Sequence, residues 1–149
     1  MWLPSAERGA TALLSATLRT WVATLTHHTG LKDFAVERER AGATSAHYIG
    51  MRAVPVRQIV GSVGRAYDFD RNFHSRQAVH WRRVYRIRRL FEQEMSLPPV
   101  ELNKLGDEYY VVDGHHRLAA AKELGREFVD AEVVEFEVGA ETAREQIAA

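Results

Sequence analysis

The stretch that most constrains the fold is VVDGHHRLAAAKELG, residues 111–125. It begins with a short apolar run, typical of a buried strand, and ends with an alanine-rich segment, typical of a helix. Gly125 stands where a glycine commonly ends a helix. Between the two segments lie Asp113, Gly114, two histidines and Arg117. The pattern predicts a strand–turn–helix unit that carries a carboxylate, two imidazoles and a guanidinium at the start of the helix.

The residues of this turn allow three interpretations. In the first they bind an anion, because free N–H groups and the helix dipole gather where a strand meets a helix N-terminus. Gly114 would let the backbone approach a phosphate, while His116 and Arg117 would donate charged hydrogen bonds. Asp113 would then hold Mg²⁺, accept a hydroxyl proton or fix the loop.

In the second interpretation Asp113, His115 and His116 bind zinc, although adjacent histidines point in different directions and no further ligand stands at a regular spacing. In the third, Asp113 caps the helix and the histidines bond to backbone carbonyls. We favour the phosphate interpretation because it uses the glycine, the helix start and the arginine together.

The pattern elsewhere predicts an α+β fold, a small mixed β-sheet with helices. Strands are predicted at Met51–Val60, Val100–Leu105, Tyr109–Val112 and Phe128–Phe136. Pro55 places the first of them at a sheet edge, and Gly106-Asp107 forms a hairpin turn. We expect the strand before residues 115–124, that helix and the final strand to form a right-handed βαβ unit.

Arginine is concentrated in the middle of the chain. Residues 65–89 contain eight arginines against two aspartates, a charge of +6, whereas residues 101–145 carry twelve acids and five bases, a charge of −7. An amphipathic helix is predicted from Arg76 to Glu94, with Trp81, Val84, Ile87 and Phe91 buried. Its remaining arginines could contact nucleic-acid phosphates, an acidic protein surface or water. The candidates for nucleic-acid contact are Arg82, Arg83, Arg86 and Arg89.

The loop between the first strand and this helix, residues 61–73, is rich in glycine and charge. A functional interpretation places Arg65 or Arg71 on a phosphate. It places Asp68 or Asp70 on Mg²⁺ or a substrate hydroxyl. The alternative is that these aspartates form turns and pair with neighbouring arginines.

The chain has the length of one domain. We expect an N-terminal helical extension at residues 1–50, with a helix from Ser5 to about Thr26, and a sheet domain at residues 51–149. The chain contains no cysteine, no positive leader and no run approaching the roughly 20 apolar residues that span a bilayer. We therefore expect a cytoplasmic protein without membrane contact, and a homodimer through the N-terminal helix is left open.

Three segments together resemble the ParB-like N-terminal domain of the ParB/sulfiredoxin fold superfamily. VVDGHHRLAAAKELG resembles the signature of that domain. VPVRQIVGSVGR (residues 54–65) resembles its opening strand, and SLPPVELNKLGDEYYVVDGHHR (residues 96–117) its central hairpin and phosphate motif. The resemblance covers about residues 50–137 and implies the ParB/sulfiredoxin-like fold.

The resemblance also limits the activity. Sulfiredoxins use the cysteine of a Gly-Cys-His-Arg run, so a chain without cysteine is not expected to be a sulfiredoxin. Partition ParB proteins carry Gly-Glu-Arg-Arg there and continue into a helix-turn-helix, whereas this chain ends soon after Phe136. Free-serine kinases carry an Asp-Gly-His-Thr-Arg run, which is closer to residues 113–117, together with a separate catalytic acid.

We therefore predict a nucleotide-binding and phosphate-binding domain, either a Mg²⁺-dependent nucleotide hydrolase or a small-molecule kinase. We expect the nucleotide to be ATP or CTP, and the sequence does not determine which of them it is. The predicted phosphate-binding residues are Gly114, His115, His116, Arg117, Arg65 and Arg71, and the predicted catalytic acids are Asp113, Asp68 and Asp70. The alternative is a non-catalytic DNA-binding or regulatory module that uses the arginine-rich helix at residues 76–94.

Overall fold

The computed structural model describes residues 30–77 and 80–148. A six-stranded sheet forms the centre of the compact unit that begins at Leu31. Its strands are β1 (Lys32–Asp33), β2 (Ala46–Pro55), β3 (Ile59–Ser62), β4 (Val100–Leu105), β5 (Glu108–Asp113) and β6 (Phe128–Phe136). The helices are α1 (Phe34–Arg40), α2 (Trp81–Glu92), α3 (His115–Glu123) and α4 (Ala140–Ala148), with a 3-10 turn at Val56–Gln58. The prediction of an α+β fold is confirmed.

The strands follow the order β1-β3-β5-β4-β6-β2. Strand β3 is parallel to both β1 and β5, and β4 is parallel to β6. Strand β5 is antiparallel to β4, and β2 is antiparallel to β6. The sheet is therefore mixed, as predicted, and β2 forms one of its edges, which is consistent with the edge position inferred from Pro55.

The predicted parallel βαβ unit is wrong. Strand β4 lies between β5 and β6. Because β5 is antiparallel to β4 and β6 is parallel to β4, β5 and β6 run in opposite directions. The hairpin at Gly106-Asp107 pairs β4 with β5, and β6 then pairs with the other side of β4. Helix α3 still begins directly after β5, so the strand–turn–helix unit itself is confirmed.

The sheet begins ahead of the boundary predicted at residue 51. Strand β1, helix α1 and the first half of β2 all lie within residues 31–50. Most of β2 is exposed on the sheet edge, so its sequence shows no alternation of buried and exposed residues that would have revealed a strand. The helix predicted from Ser5 to Thr26 lies outside the described residues.

Helix α2 packs against α3 and contributes Val84 to the core, with Ile87 and Phe91 partly buried beside it. Trp81 was expected to belong to the same buried stripe, and this prediction is wrong, because Trp81 is 63% exposed. It is the first residue of α2, and the buried stripe begins one turn later. Helix α3 is more deeply buried, with Leu118 and three alanines fully inaccessible to solvent.

Within the described part of the chain, no helix has the length and the apolar character needed to cross a lipid bilayer.

Candidate functional site

A cleft of about 290 Å³ lies at the N-terminus of α3. Three parts of the fold meet there: the turn between β5 and α3, the loop that follows β3, and helix α2. The lining residues are Arg65, Arg83, Ile87, Asp113, Gly114, His115, His116 and Arg117. The structure therefore brings all five residues of the predicted turn together with Arg65, as the phosphate interpretation requires.

Gly114 allows β5 to turn into α3. Its φ is +110°, a left-handed conformation that other residues rarely adopt. A Cβ atom there would stand 2.6 Å from Val100 Cγ1, so only glycine fits without displacement. The N–H group of Leu118 donates to the Gly114 carbonyl and starts the helix. The N–H groups before it have no intrahelical partner, and they belong to residues that line the cleft.

His115 lines the cleft but is buried, with 3% of its surface exposed. A hydrogen bond of 2.7 Å joins its Nε2 to the hydroxyl of Ser62, which is also buried. Its ring stacks on Phe69, with 4.4 Å between ring centroids. Burial, with the charge of Arg65, lowers the pKa of His115 to about 4. The neutral imidazole holds the loop after β3 against α3 through these contacts. Its Nε2 is already hydrogen-bonded to Ser62, so this atom does not bind an anion in the cleft.

His116 lies nearer the opening. Its Nε2 is buried and has no hydrogen-bond partner among the described residues. Its ring centroid is 5.1 Å from that of His80. Burial, together with the nearby Arg83 and His80, lowers the pKa of His116. Because an unpaired buried nitrogen is costly, a ligand that bonds to it would relieve that cost.

Arg117 is held by the chain itself. Its guanidinium donates to the carbonyls of Pro98 and Pro99, at 2.6 and 2.7 Å, and to the Asp113 carboxylate at 2.8 Å. The Asp113 side chain is 70% exposed. Arg117 therefore connects the segment before β4 to the turn, and it also lines the cleft.

The predicted residues of the loop separate in the structure. Arg65 donates to Asp68 at 3.2 Å, and its guanidinium lies 4.8 Å from the centre of the Phe69 ring. Asp70 accepts from the backbone N–H groups of two later loop residues and so forms a turn. Arg71 does not line the cleft; its carbonyl accepts from a lysine of α3. Of these four residues, Arg65 alone lines the cleft.

Arg83 was predicted as a nucleic-acid contact, but it lines this cleft. It precedes Ile87 by one helical turn, so the two residues lie on the same side of α2. Its spacing of four residues from Ile87, which the sequence predicted to be buried, was the signal that could have placed Arg83 on this side. The other three arginines of that prediction, Arg82, Arg86 and Arg89, are exposed and do not line the cleft.

Ser62 and Phe69 contact His115 but were not predicted from the sequence, because neither belongs to a recognisable motif.

Among the described residues, no group of three or more histidine, aspartate or glutamate side chains is placed to hold a metal ion. The zinc interpretation of Asp113, His115 and His116 is therefore not supported by their placement. Mg²⁺ is commonly bound by one or two carboxylates together with substrate phosphates. Asp113 is the only carboxylate among the cleft residues, so it fits the protein's share of such a site.

A match to a family model supports the resemblance noted in the sequence. No curated protein matches the chain. The sulfiredoxin from Arabidopsis thaliana aligns with a TM-score of 0.41 and 20% identity, over 65% of this chain and 96% of that chain. The Pnob8-like ParB-N domain aligns with a TM-score of 0.38 and 15% identity, over 69% of this chain and 35% of that chain. The model of the ParB N-terminal domain matches residues 72–148, just over half of the sequence, and the chain therefore belongs to the ParB N-terminal domain family.

Proposed function

We propose that this ParB-like module binds the phosphate groups of a nucleotide in the cleft at the start of α3. The observation that carries the proposal is the convergence of Arg65, Arg83 and Arg117 on the N-terminal turn of one helix. Guanidinium groups and free backbone N–H groups are the donors that phosphate oxygens prefer. Asp113 supplies the one carboxylate of the lining, so the cleft carries a net positive charge.

The three arginines differ in whether a carboxylate already pairs with their charge. Arg65 is paired with Asp68, and Arg117 with Asp113. Arg83 makes no ion pair with any residue of the described ranges 30–77 and 80–148. Arg83 therefore contributes the uncompensated charge of the cleft, and we expect it to contribute most of the arginine-dependent affinity for an anion.

Catalysis would depend on Asp113. Its Oδ2 accepts from Arg117, and its largely exposed carboxylate can also approach a metal–phosphate complex or a hydroxyl group. Mg²⁺ bound there would neutralise charge on the transferred phosphoryl group. The proposed reaction is Mg²⁺-dependent nucleotide hydrolysis or phosphoryl transfer. In an assay of phosphate release, Asp113→Asn should abolish turnover while nucleotide binding persists; unchanged turnover would remove Asp113 from the proposal.

A thermal-shift panel tests nucleotide binding. ATP, ADP, CTP, GTP and inorganic pyrophosphate are each added with and without Mg²⁺. A ligand present at 100 times its Kd should stabilise the folded chain by about 2.7 kcal/mol. The proposal is contradicted if none of these compounds stabilises the chain.

A second candidate function is DNA binding through the arginines of α2 that do not line the cleft. Arg82, Arg86 and Arg89 are separated by four and three positions, so they form one exposed row on the helix. None of these three side chains has a carboxylate partner among the described residues. Contact with backbone phosphates would make the affinity fall steeply with salt. In a fluorescence-anisotropy titration with labelled DNA, an affinity that does not change with salt would contradict this candidate.

A further inference from the structure

Two large aromatic side chains lie on the outer side of α2. Trp81 is 63% exposed and Tyr85 is 55% exposed. They are four residues apart, so they project from the same side of the helix. A hollow of about 270 Å³ lies beside them, between α2, Glu123 at the end of α3 and the segment that contains His74. Exposed aromatic rings next to one another are typical of surfaces that contact a partner.

These rings lie among uncompensated cations. We call Trp81, Arg82, Tyr85, Arg86 and Arg89 the aromatic–arginine face. The guanidinium of Arg82 lies 5.5 Å from the centre of the Trp81 ring. Arg88 on the same helix is different, because it bonds to both Glu92 and Glu123. The face is therefore both positively charged and aromatic, whereas the charge of Arg88 is compensated by two glutamates.

The charge pattern identifies the kind of partner. The N-terminal segment, residues 1–29, contains Glu7 as its only acid, against Arg8 and Arg19, so its sequence offers no net negative charge to the face. An acidic protein surface would pair with the arginines but would leave the two rings without planar partners. Duplex DNA offers phosphates, but its bases are already stacked on one another. Single-stranded nucleic acid offers both phosphates and free base planes.

We propose that the aromatic–arginine face binds single-stranded nucleic acid, with bases stacked on Trp81 and Tyr85 and backbone phosphates held by Arg82, Arg86 and Arg89. The proposal deepens the second candidate function and rests on it, since it adds which form of nucleic acid is bound. It is independent of nucleotide binding in the cleft, because none of these five side chains lines the cleft.

Fluorescence anisotropy of the full chain tests the proposal. The ligands are a labelled dT oligonucleotide and a duplex of the same length, and poly-L-glutamate serves as a competing polyanion. We expect the single strand to bind more tightly than the duplex, and poly-L-glutamate to compete weakly. Three phosphate contacts should give a slope of log K against log salt of about −2. Trp81→Ala and Tyr85→Ala should each weaken binding about tenfold, because stacking on one aromatic ring contributes roughly this much.

Tyr48→Ala is the matched control, because Tyr48 is 61% exposed but lies on β2, away from this face. It should leave the affinity unchanged, and Trp81→Phe should retain most of it. With Trp2 and Trp21 replaced by phenylalanine, Trp81 is the only tryptophan left, and its fluorescence should be quenched by the oligonucleotide.

The outcomes separate this proposal from the function on which it rests. If the duplex binds as tightly as the single strand and both aromatic variants bind normally, DNA binding stands and the single-strand proposal is overturned. If neither nucleic acid binds at low salt, both are overturned. Equal binding of poly-L-glutamate would show a general affinity for polyanions and would also overturn the proposal.

Discussion

Gly114 determines the geometry of the cleft because it combines two constraints. Its φ of +110° is strained for any residue with a side chain, and a Cβ atom would overlap Val100. A glycine that has a positive φ but open space around it tolerates replacement by alanine better. Gly106, in the β4–β5 turn, has a φ of +60° with open space around it.

The pair offers a matched test. Gly114→Ala should lower the free energy of unfolding by about 3 kcal/mol, because backbone strain and steric overlap add together. Gly106→Ala should lower it by about 1 kcal/mol, from backbone strain alone. Urea denaturation measures both values. Equal losses for the two variants would show that the contact with Val100 does not constrain the turn.

His115 gives the chain a defined pH dependence. Its pKa in the folded state is about 4, below the ordinary value of 6.5, because burial disfavours the charged ring. As the pH falls below 6.5, the unfolded chain takes up a proton that the folded chain does not, so stability decreases until the pH reaches about 4. His116, whose pKa is also lowered, acts in the same direction.

Between pH 7 and pH 5, His115 should reduce the free energy of unfolding by about 2 kcal/mol. His115→Gln removes the titrating group, so its stability should depend less on pH over this interval, whatever its absolute stability. Urea denaturation of both chains at several pH values measures the difference. Parallel pH profiles would contradict a buried, neutral His115.

At the scale of elements, the sequence predicted β4, β5, α3 and β6 closely because each has clear end signals, such as the Gly106-Asp107 turn and Gly125. It did not predict the order of the strands, because a nine-residue helix can precede either a parallel or an antiparallel strand. It also missed β2 before residue 51, whose exposed edge residues show no period. The sequence also did not indicate that Arg83 lines the cleft, because a repeated residue type does not reveal which side of a helix meets a cleft.

Arg117 joins two elements rather than serving the cleft alone. Its bonds to the Pro98 and Pro99 carbonyls and to Asp113 fix the connection between α2 and β4. Arg117→Lys should lower the free energy of unfolding by about 1 to 2 kcal/mol, because lysine cannot reproduce this fork of donors. Limited proteolysis should cut residues 93–99 faster in this variant.

Arg126→Lys provides the comparison, since the Arg126 side chain donates one hydrogen bond near the same connection, at 3.2 Å to the Phe91 carbonyl, besides lying 4.6 Å from the centre of the Phe91 ring. Its effect on stability and proteolysis should be smaller. If the two variants behave alike, the bonds of Arg117 do not hold the connection in place.

At the scale of the whole molecule, α2 contributes different residues to the two proposed functions. Arg83 and Ile87 line the cleft at the start of α3, while Arg82, Arg86 and Arg89 lie outside it. Of these four arginines, one therefore lines the cleft and three do not. A variant in one set should affect one function and leave the other intact, which makes the two proposals separable within one folded chain.

Phosphate binding in the cleft is tested most directly by calorimetric titration of two variants, Arg83→Ala and Arg86→Ala. The titrant is the nucleotide that gives the chain the largest thermal stabilisation. Both residues are exposed arginines of α2, but Arg83 alone of the two lines the cleft. Loss of a charged hydrogen bond should weaken binding about tenfold in Arg83→Ala, whereas Arg86→Ala should bind as the unchanged chain does. Equal affinities for the two variants would contradict a phosphate site in this cleft.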